Sequence, residues 1–281
     1  MNLLTNPLIH PISDLSQIKF TRRTARNHSG IQIKSAQEIE IMRKASRIVA
    51  TVLKEISEIA RPGMSTADLD LYAEKRIRQM GAIPSFKGYH GFPATICASI
   101  NNEMVHGIPS SKRFICEGDL LKVDTGAFLE GYHGDSCITI CIGNVTEEAS
   151  RLSLVAQESL MAGLSKIKAG NNLLDIARAV QEQVESANYS AVEEYTGHGV
   201  GRNLHEQPTV FNFDNGRLPN IELEAGMTLA VEPILNTGSK AARVLSDRWT
   251  VVTMDGKLSA QWEHTVVITS DGCEILTDRN S

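Results

Sequence analysis

The chain has 281 residues, of which 42% are apolar and 22% charged, and its formal net charge at pH 7 is −5. These values are typical of a globular protein with a sizeable core. The acidic balance argues against a protein that coats DNA or RNA, because such binding depends on an excess of Lys and Arg. No apolar run approaches the roughly 20 residues that a membrane-spanning helix needs, so we expect no membrane partner.

The cysteines do not form a recognisable ligand or disulfide pattern. There are five of them, an odd number, without a Cys-x-x-Cys pair. This favours free thiols in a reducing compartment over a disulfide framework or a thiolate zinc site. The amino end lacks a leading charge and is interrupted by Pro7 and Pro11, which makes it a poor secretory signal. We therefore expect a cytoplasmic protein, with import into an organelle left open.

Residues 1–34 are predicted to form an amino-terminal extension to one folded domain, which spans residues 35–281. Apolar residues in the extension are sparse and aperiodic, and residues 19–26 form a basic run. A mobile or surface-draped tail is the preferred interpretation. The alternatives are a docking arm for an acidic surface such as ribosomal RNA and an organelle-targeting peptide.

The first half of the domain is predicted to contain two helices followed by strands. Apolar residues recur at helical spacing from residue 37, and Arg61-Pro62-Gly63 ends that helix. Ser65 or Thr66 begins a second helix, which Gly81 closes. A loop over 84–93 follows. Strands are then predicted over residues 95–100, 119–126 and 134–142, with the second of these ending at Gly126 and a hairpin at residues 130–131. Residues 104–109 are predicted as a further strand that ends in a loop.

The second half repeats this order. Helices are predicted over 147–166 and 173–187, a strand over 227–233, and a hairpin around residues 255–256 that leads into a strand over 259–268. In both helix–helix breaks a basic residue is followed two positions later by Gly, then by a capping residue and Asp, which makes duplication the better explanation. We predict one α+β domain in which two similar halves share a sheet.

Four carboxylates, two from each half, lie on or beside apolar strand segments: Asp124, Asp135, Glu232 and Glu263. Burying an isolated carboxylate is costly unless it is protonated, paired or bound to a metal. An edge position or an ion pair explains any one of them alone. Duplication, however, would bring all four together, and no four basic residues on matching strands could neutralise them. With His198 added, the set suits Mn(II), Fe(II), Co(II) or Zn(II), and is large enough for two ions about 3.5–4 Å apart.

Two more histidines are candidates for function. His205 lies with His198 in the segment 195–206, where three glycines in five residues weaken both helix and strand. His106 lies in a loop after a strand. Either could donate a hydrogen bond to a carbonyl or its oxyanion, or move a proton. A structural role is expected for His10, His28 and His133.

Eight segments occur along the chain in a fixed order: Gly88-Tyr89-His90-Gly91-Phe92-Pro93, Val105-His106-Gly107-Ile108-Pro109, Val123-Asp124, Gly134-Asp135, Gly197-His198-Gly199-Val200-Gly201-Arg202, Leu204-His205-Glu206, Val231-Glu232-Pro233 and Gln261-Trp262-Glu263-His264-Thr265. On these segments the chain, from about residue 33 to residue 277, resembles the type I methionine aminopeptidases. The resemblance implies the pita-bread fold, with two pseudo-symmetric halves sharing a curved antiparallel sheet. It also implies removal of the initiator methionine from nascent chains, with a preference for small second residues.

The resemblance assigns roles to the metal-ligand candidates. It implies that Asp135 and Glu263 bridge two divalent ions (Co, Mn, Fe or Zn), that Asp124 holds one ion, and that His198 and Glu232 hold the other.

It also assigns roles in the hydrolysis, in which a metal-activated water attacks the scissile carbonyl. Glu232 is the expected proton carrier, His205 stabilises the oxyanion and His106 positions the amide nitrogen.

A narrow apolar pocket for methionine is also implied. Five residues match its usual lining, with ordinary core packing as the alternative for each: Tyr89, Phe92, Cys97, Tyr195 and Trp249. The chain departs from the family at Leu204, where an aromatic residue is common, and at Phe86 and Thr196, where many bacterial members have cysteine.

Two other functions stay open. One is that of an Xaa-Pro aminopeptidase or prolidase, although those enzymes usually have a large amino-terminal domain. The other is that of a metal-free pita-bread protein that binds RNA or a protein partner. For the preferred function, the expected partners are nascent amino termini and the ribosome, and we expect a monomer.

Overall fold

The computed structural model describes residues 30–280. The basic run at 19–26, together with His10 and His28, lies outside them.

The helices are α1 (Ala36–Ile59), α2 (Thr66–Gln79), α3 (Glu147–Leu164) and α4 (Leu173–Ser186). The strands are β1 (Ile83–Pro84), β2 (Ile96–Ile100), β3 (Glu103–Val105), β4 (Leu120–Leu129), β5 (Tyr132–Cys141), β6 (Ser190–Ala191), β7 (Gly197–Gly199), β8 (Glu206–Val210), β9 (Thr228–Val231), β10 (Ile234–Asn236), β11 (Ala242–Val244), β12 (Val251–Thr253), β13 (Ser259–Gln261), β14 (His264–Ile268) and β15 (Cys273–Ile275).

The helix starts follow from local capping chemistry. At α2, the Ser65 backbone N–H donates to Asp68 at 2.8 Å, and Ser65 Oγ accepts from the Asp68 N–H. At α4, the Asn172 N–H donates to Asp175 at 2.9 Å. These reciprocal bonds satisfy amide donors that a helix start leaves unpaired. The same device therefore begins the second helix of each half, which agrees with the predicted duplication.

Two larger antiparallel sheets form the halves, and two three-stranded sheets lie beside them. The first half has β1, β4 and β2 in order, with β5 also paired to β4, and the second half has β15-β14-β9-β7-β8. The smaller sheets have the orders β13-β10-β6 and β11-β12-β3. The two halves meet where Glu263 N–H donates to Cys137 O at 3.0 Å and Thr139 Oγ1 donates to Gln261 O at 2.7 Å.

The apolar core lies between the helices and the sheets. In the first half α1 and α2 pack on β2, β4 and β5, and in the second α3 and α4 pack on β9 and β14. A third cluster joins α3 and α4 to β10 and β13. The partly buried ring of Trp262 packs against all three clusters. One continuous apolar body thus supports both halves.

Three sequence predictions need correction. Strand β4 continues three residues past Gly126, because Gly126 pairs with Asp135 in the ladder. Residues 255–256 form a turn but not a hairpin, since β12 pairs with β11 and β3 whereas β13 pairs with β10. The strand predicted over 259–268 is broken between β13 and β14, which belong to different sheets.

The boundary of the amino-terminal extension also differs from the prediction. Ile31 packs against the core of the second half, and the Lys34 backbone N–H donates to Gly226 O at 2.9 Å. The Lys34 side chain is buried. Residues 31–34, assigned above to the extension, therefore belong to the packed body.

Candidate metal centre

The two aspartates of the first half lie on adjacent strands. In the β4–β5 ladder Asp124 is opposite Cys137, two residues from Asp135. Because side chains alternate along a strand, Asp124 and Asp135 are diagonal neighbours on one face of the sheet. Cys97 of β2 is opposite Asp124 on its other side.

The second half contributes its ligands in the same way. His198 of β7 is opposite Ala230 of β9, so that Glu232, two residues further along, lies diagonally on the same face. Pro233 follows Glu232 and has no N–H to donate, and the chain leaves β9 there for another sheet. Glu263 occupies the corresponding break between β13 and β14. Both glutamates thus stand where the chain passes from one sheet to the next.

The glycines beside His198 are explained by close approach of the neighbouring backbone. A Cβ atom at Gly197 would lie 2.3 Å from Ala230 O, and one at Gly199 would lie 2.2 Å from Gln207 O. No other residue fits at these positions without moving the strands. The glycine-rich segment therefore holds His198 in the middle of a tightly packed sheet.

The five side chains converge. One ligand atom from each of Asp135, His198 and Glu263 lies within 4.8 Å of the other two. His198 Nε2 is 3.8 Å from Asp135 Oδ2 and 3.7 Å from Glu232 Oε1. Together with His106 and His205 the five line one cavity. All five are buried, with residue exposures between 2% and 8%.

Burial and mutual repulsion raise the pKa of each acid. Burial raises the pKa of Asp124 to about 8. For Asp135 the pKa is raised well above its ordinary value, first by burial and then by the charge of Asp124. Burial followed by the charges of the other acids has the same effect on Glu232 and Glu263. Without a bound cation, the four acids would be partly protonated at neutral pH.

The cluster fits a divalent cation. Within residues 30–280, no Lys or Arg lies within ion-pair distance of any of the four carboxylates. The buried oxygens Asp124 Oδ1 and Asp135 Oδ1 accept no hydrogen bond. The charge of Arg279 lowers the pKa of Glu263, but burial and the three neighbouring acids outweigh it. Buried acids that no ion pair neutralises, with oxygens free to coordinate, are what a metal site requires.

His205 lies beside the cluster. Its ring centroid is 4.2 Å from that of His198, and its Nδ1 is 2.8 Å from the hydroxyl of Tyr89. This contact at Nδ1 restrains the ring orientation of His205 beside His198.

His106 approaches the cavity from the first half. Its φ of +59° lies in the left-handed region, uncommon for a residue with a side chain and often found at functional sites. Burial lowers its pKa to about 3, so the ring is neutral at physiological pH. Its centroid is 5.9 Å from Tyr195 and 6.4 Å from Trp249.

The five residues predicted to line the methionine pocket lie in two neighbouring apolar clusters. Phe92, Cys97 and Trp249 form one buried cluster, called here the pocket cluster, with Phe86, Ala94 and Leu204, and Tyr89 packs against it. Tyr195 packs in the other cluster with Met104 and Val105, and contacts the ring of His106. Phe86 and Leu204, recognised in the sequence only as departures from the family, thus belong to the pocket cluster, and Phe86 and Cys97 also line the cavity of the ligands.

Two residues that support the ligands were not assigned roles from the sequence. Gln261 Nε2 donates to Glu232 Oε2 at 3.1 Å. Thr265 Oγ1 donates to Asp135 O at 2.7 Å and accepts from the Asp135 N–H at 3.2 Å. Both flank Glu263 at alternate positions, a spacing that could have singled them out as neighbours on one strand face.

A pita-bread body with buried carboxylates and a histidine converging between its halves defines a class of metallohydrolases. Residues 40–270 match the model of metallopeptidase family M24. Methionine aminopeptidase of Clostridium acetobutylicum is 50% identical over 248 residues, which cover 88% of this chain and 98% of that protein. Methionine aminopeptidase 1 of Bacillus subtilis is 48% identical, with coverages of 87% and 98%. The chain therefore belongs to metallopeptidase family M24 and, within it, to the methionine aminopeptidases.

Solved structures agree. Methionine aminopeptidase from Thermotoga maritima superposes with a TM-score of 0.86 at 39% identity, covering 88% of this chain and 99% of that one. The prolidase from Pyrococcus horikoshii shares the fold at a TM-score of 0.72 and 24% identity, but only 63% of its length is covered. The predicted fold and family are thus confirmed. In residues 30–280 no helix is long and apolar enough to cross a membrane.

Proposed function

We propose that this protein removes the amino-terminal methionine from nascent chains and peptides with small second residues, using two divalent metal ions. The observation that supports this most strongly is the convergence of four buried acids and His198, with no Lys or Arg of residues 30–280 at ion-pair distance from the acids. Family membership supports the reaction, and the donor set supports Co, Mn, Fe or Zn as the metal.

The proposed ligand roles are those that the family resemblance implies. Asp135 and Glu263 would bridge the two ions, Asp124 would hold one, and His198 and Glu232 the other. Divalent ions at such a site polarise a carbonyl and lower the pKa of water towards neutrality. Gln261 and Thr265 would orient Glu232 and Asp135 through the hydrogen bonds described above.

The remaining polar residues would act on the peptide bond itself. Glu232 would take up the proton of the attacking water and deliver it to the leaving amine, because its carboxylate lines the same cavity as the other ligands and the two catalytic-candidate histidines. His205, oriented by Tyr89, would donate a hydrogen bond to the developing oxyanion. Neutral His106 would position the scissile amide nitrogen, and the free amino terminus would bind near Asp124.

The apolar cluster around Phe92 and Cys97 would receive the methionine side chain. An unbranched thioether adapts to a narrow pocket, and sulfur–aromatic contacts contribute about 0.3–1.5 kcal/mol. The rings of Phe92 and Trp249, with centroids 5.1 Å apart and nearly perpendicular, are suited to such contacts.

We also propose the partners of the reaction. Nascent amino termini are the expected substrates, and the basic run at 19–26 would assist docking on ribosomal RNA. A monomer in the cytoplasm fits this role. Ribosome co-sedimentation that is unchanged when residues 1–29 are deleted would contradict the docking.

The reaction is tested with metal-loaded protein and two peptides. We expect Met-Ala-Ser to be cleaved and Ala-Pro-Ala to be left intact. Preferential cleavage of the Xaa-Pro bond would favour a prolidase-like activity instead. Protein that binds no Mn(II) or Co(II) on elemental analysis would favour a metal-free binding protein. A series of Met-Xaa peptides then defines the second-residue preference.

A further inference from the structure

A buried ion pair connects the amino-terminal end of the packed body to the segment that contains His205. Lys34 Nζ lies 2.6 Å from Glu206 Oε2, and the two side chains are 3% and 4% exposed. Lys34 is itself fixed, because its backbone N–H donates to Gly226 O and its Nζ also donates to Gln32 O at 3.3 Å. Neither residue belongs to the metal cluster, and the reaction proposed above uses neither.

Glu206 is placed to control the loop between β7 and β8. It directly follows His205, and its Oε1 accepts the Asn203 N–H at 3.0 Å. The pair packs against Gly201, where a Cβ atom would lie 2.6 Å from Lys34 Cε and 2.8 Å from Glu206 Oε1. Glu206 therefore connects Asn203 to the start of β8, and the ion pair with Lys34 in turn fixes the Glu206 side chain.

His205 is thus fixed from two sides. Tyr89 contacts the ring at Nδ1, while the Lys34–Glu206 pair fixes the backbone next to it. An ion pair as buried as this one gains little net stability, because the desolvation of both charges offsets their attraction. We expect the ion pair to affect the position of the loop between β7 and β8 more than the stability of the protein, because it restrains that loop to one position.

We propose that Lys34 is a positioning residue for catalysis, which acts through Glu206 to hold His205 where the oxyanion forms. This inference rests on the proposed aminopeptidase activity. A loop displaced by 1 Å would weaken a contact made mainly in the transition state, so kcat should fall more than KM rises.

The test separates positioning from stability with two variants. Lys34→Met leaves the Glu206 carboxylate buried and unpaired, which should lower both Tm and kcat. The double variant Lys34→Met with Glu206→Gln keeps the size of both side chains and removes the unpaired charge. We expect its Tm to return close to that of wild type, while kcat on Met-Ala-Ser stays at least tenfold reduced and KM stays within threefold.

Three further measurements complete the design. Lys240→Met, which breaks the exposed Lys240–Glu193 pair, serves as the matched control and should leave kcat unchanged. Lys34→Arg keeps the charge and should recover part of the lost kcat. Metal content should be the same in all variants.

Each result has one consequence. If kcat of the double variant recovers together with Tm, the pair is only structural and the inference is wrong. If the double variant fails to fold, Lys34→Met assayed well below its Tm decides: reduced kcat with wild-type KM and metal content supports positioning, and wild-type kcat contradicts it. Wild-type protein that does not cleave Met-Ala-Ser would instead contradict the proposed function.

Discussion

The hydroxyl of Tyr89 lies 2.8 Å from Nδ1 of His205, although 116 residues separate them in sequence. This bond joins the loop before β2 to the loop before β8, and in the proposed reaction it would direct Nε2 of His205 towards the substrate. Tyr89, which family resemblance places in the methionine pocket, would thus also orient the histidine proposed to stabilise the oxyanion.

The first prediction follows from this bond. Tyr89→Phe removes one hydrogen bond of about 1 kcal/mol, and we expect kcat to fall about five- to tenfold with KM changed less than threefold. Steady-state kinetics on Met-Ala-Ser measure both. Tyr72→Phe, which loses a bond to Glu55 remote from the site, is the control. An unchanged kcat for Tyr89→Phe would show that the bond does not matter for turnover.

The second prediction concerns the bridging carboxylates. Asp135→Asn and Glu263→Gln should each reduce kcat/KM at least about 10³-fold, because a neutral amide is a poor bridge between two cations. Metal content measured on the same samples should fall from two ions per chain to one or none. Glu193→Gln, on an exposed side chain, controls for loss of charge alone. Near wild-type activity in either bridging variant would refute the roles proposed for them.

The third prediction links the raised carboxylate pKa values to stability. In metal-free protein Asp124 has a folded-state pKa of about 8 against an ordinary 3.8, so the folded state holds its proton over a wider pH range than the unfolded chain. Its contribution to stability is therefore present below about pH 4 and is lost as the pH rises towards 8. Added metal replaces the proton and should reverse this trend.

Thermal melts between pH 5 and pH 8 test this linkage. The Tm of chelator-treated protein should decline across the range, and its difference from that of metal-loaded protein should widen. Asp124→Asn, which cannot ionise, should flatten the decline. Parallel curves with and without metal would argue against the cluster as a metal site.

The fourth prediction uses Phe86. This side chain is buried in the pocket cluster and lines the same cavity as Cys97 and the ligands. Phe86→Cys removes most of an aromatic ring beside Cys97, so turnover of the branched Leu-Ala-Ser relative to Met-Ala-Ser should rise at least about tenfold, the low end of the discrimination that a single methylene group gives in an apolar pocket. Phe114→Cys, on an exposed ring, is the control. Unaltered selectivity would place Phe86 outside the methionine pocket.

The sequence was most informative where periodicity and residue chemistry agreed. The four helices follow from apolar spacing and capping residues, and the ligand candidates follow from acids on apolar strands. The segment around Gly126 was harder to predict, because glycine commonly ends a strand, whereas here it continues the β4–β5 ladder.

The features that could not be predicted depend on residues that are distant in sequence and become neighbours only in the folded chain. The passage of the chain between sheets at Glu232 and Glu263 depends on which strands pair, and local sequence does not specify that pairing. The sequence assigns Lys34 to the extension, because the apolar periodicity begins only after it and a single lysine does not show in the sequence that it will be buried. Its partner Glu206 is 172 residues away and becomes its neighbour only in the folded chain.

The last prediction concerns His106. Burial lowers its pKa to about 3, so it is neutral between pH 6 and pH 9. A neutral imidazole can still donate one hydrogen bond, and His106→Ala should lower kcat/KM by about 10²–10³-fold. Because the ring does not titrate in that range, the ratio of wild-type to variant kcat/KM should be constant across it. A ratio that falls towards one below pH 7 would mean that protonation of His106 near neutral pH abolishes its contribution and that burial does not keep its pKa far below neutrality.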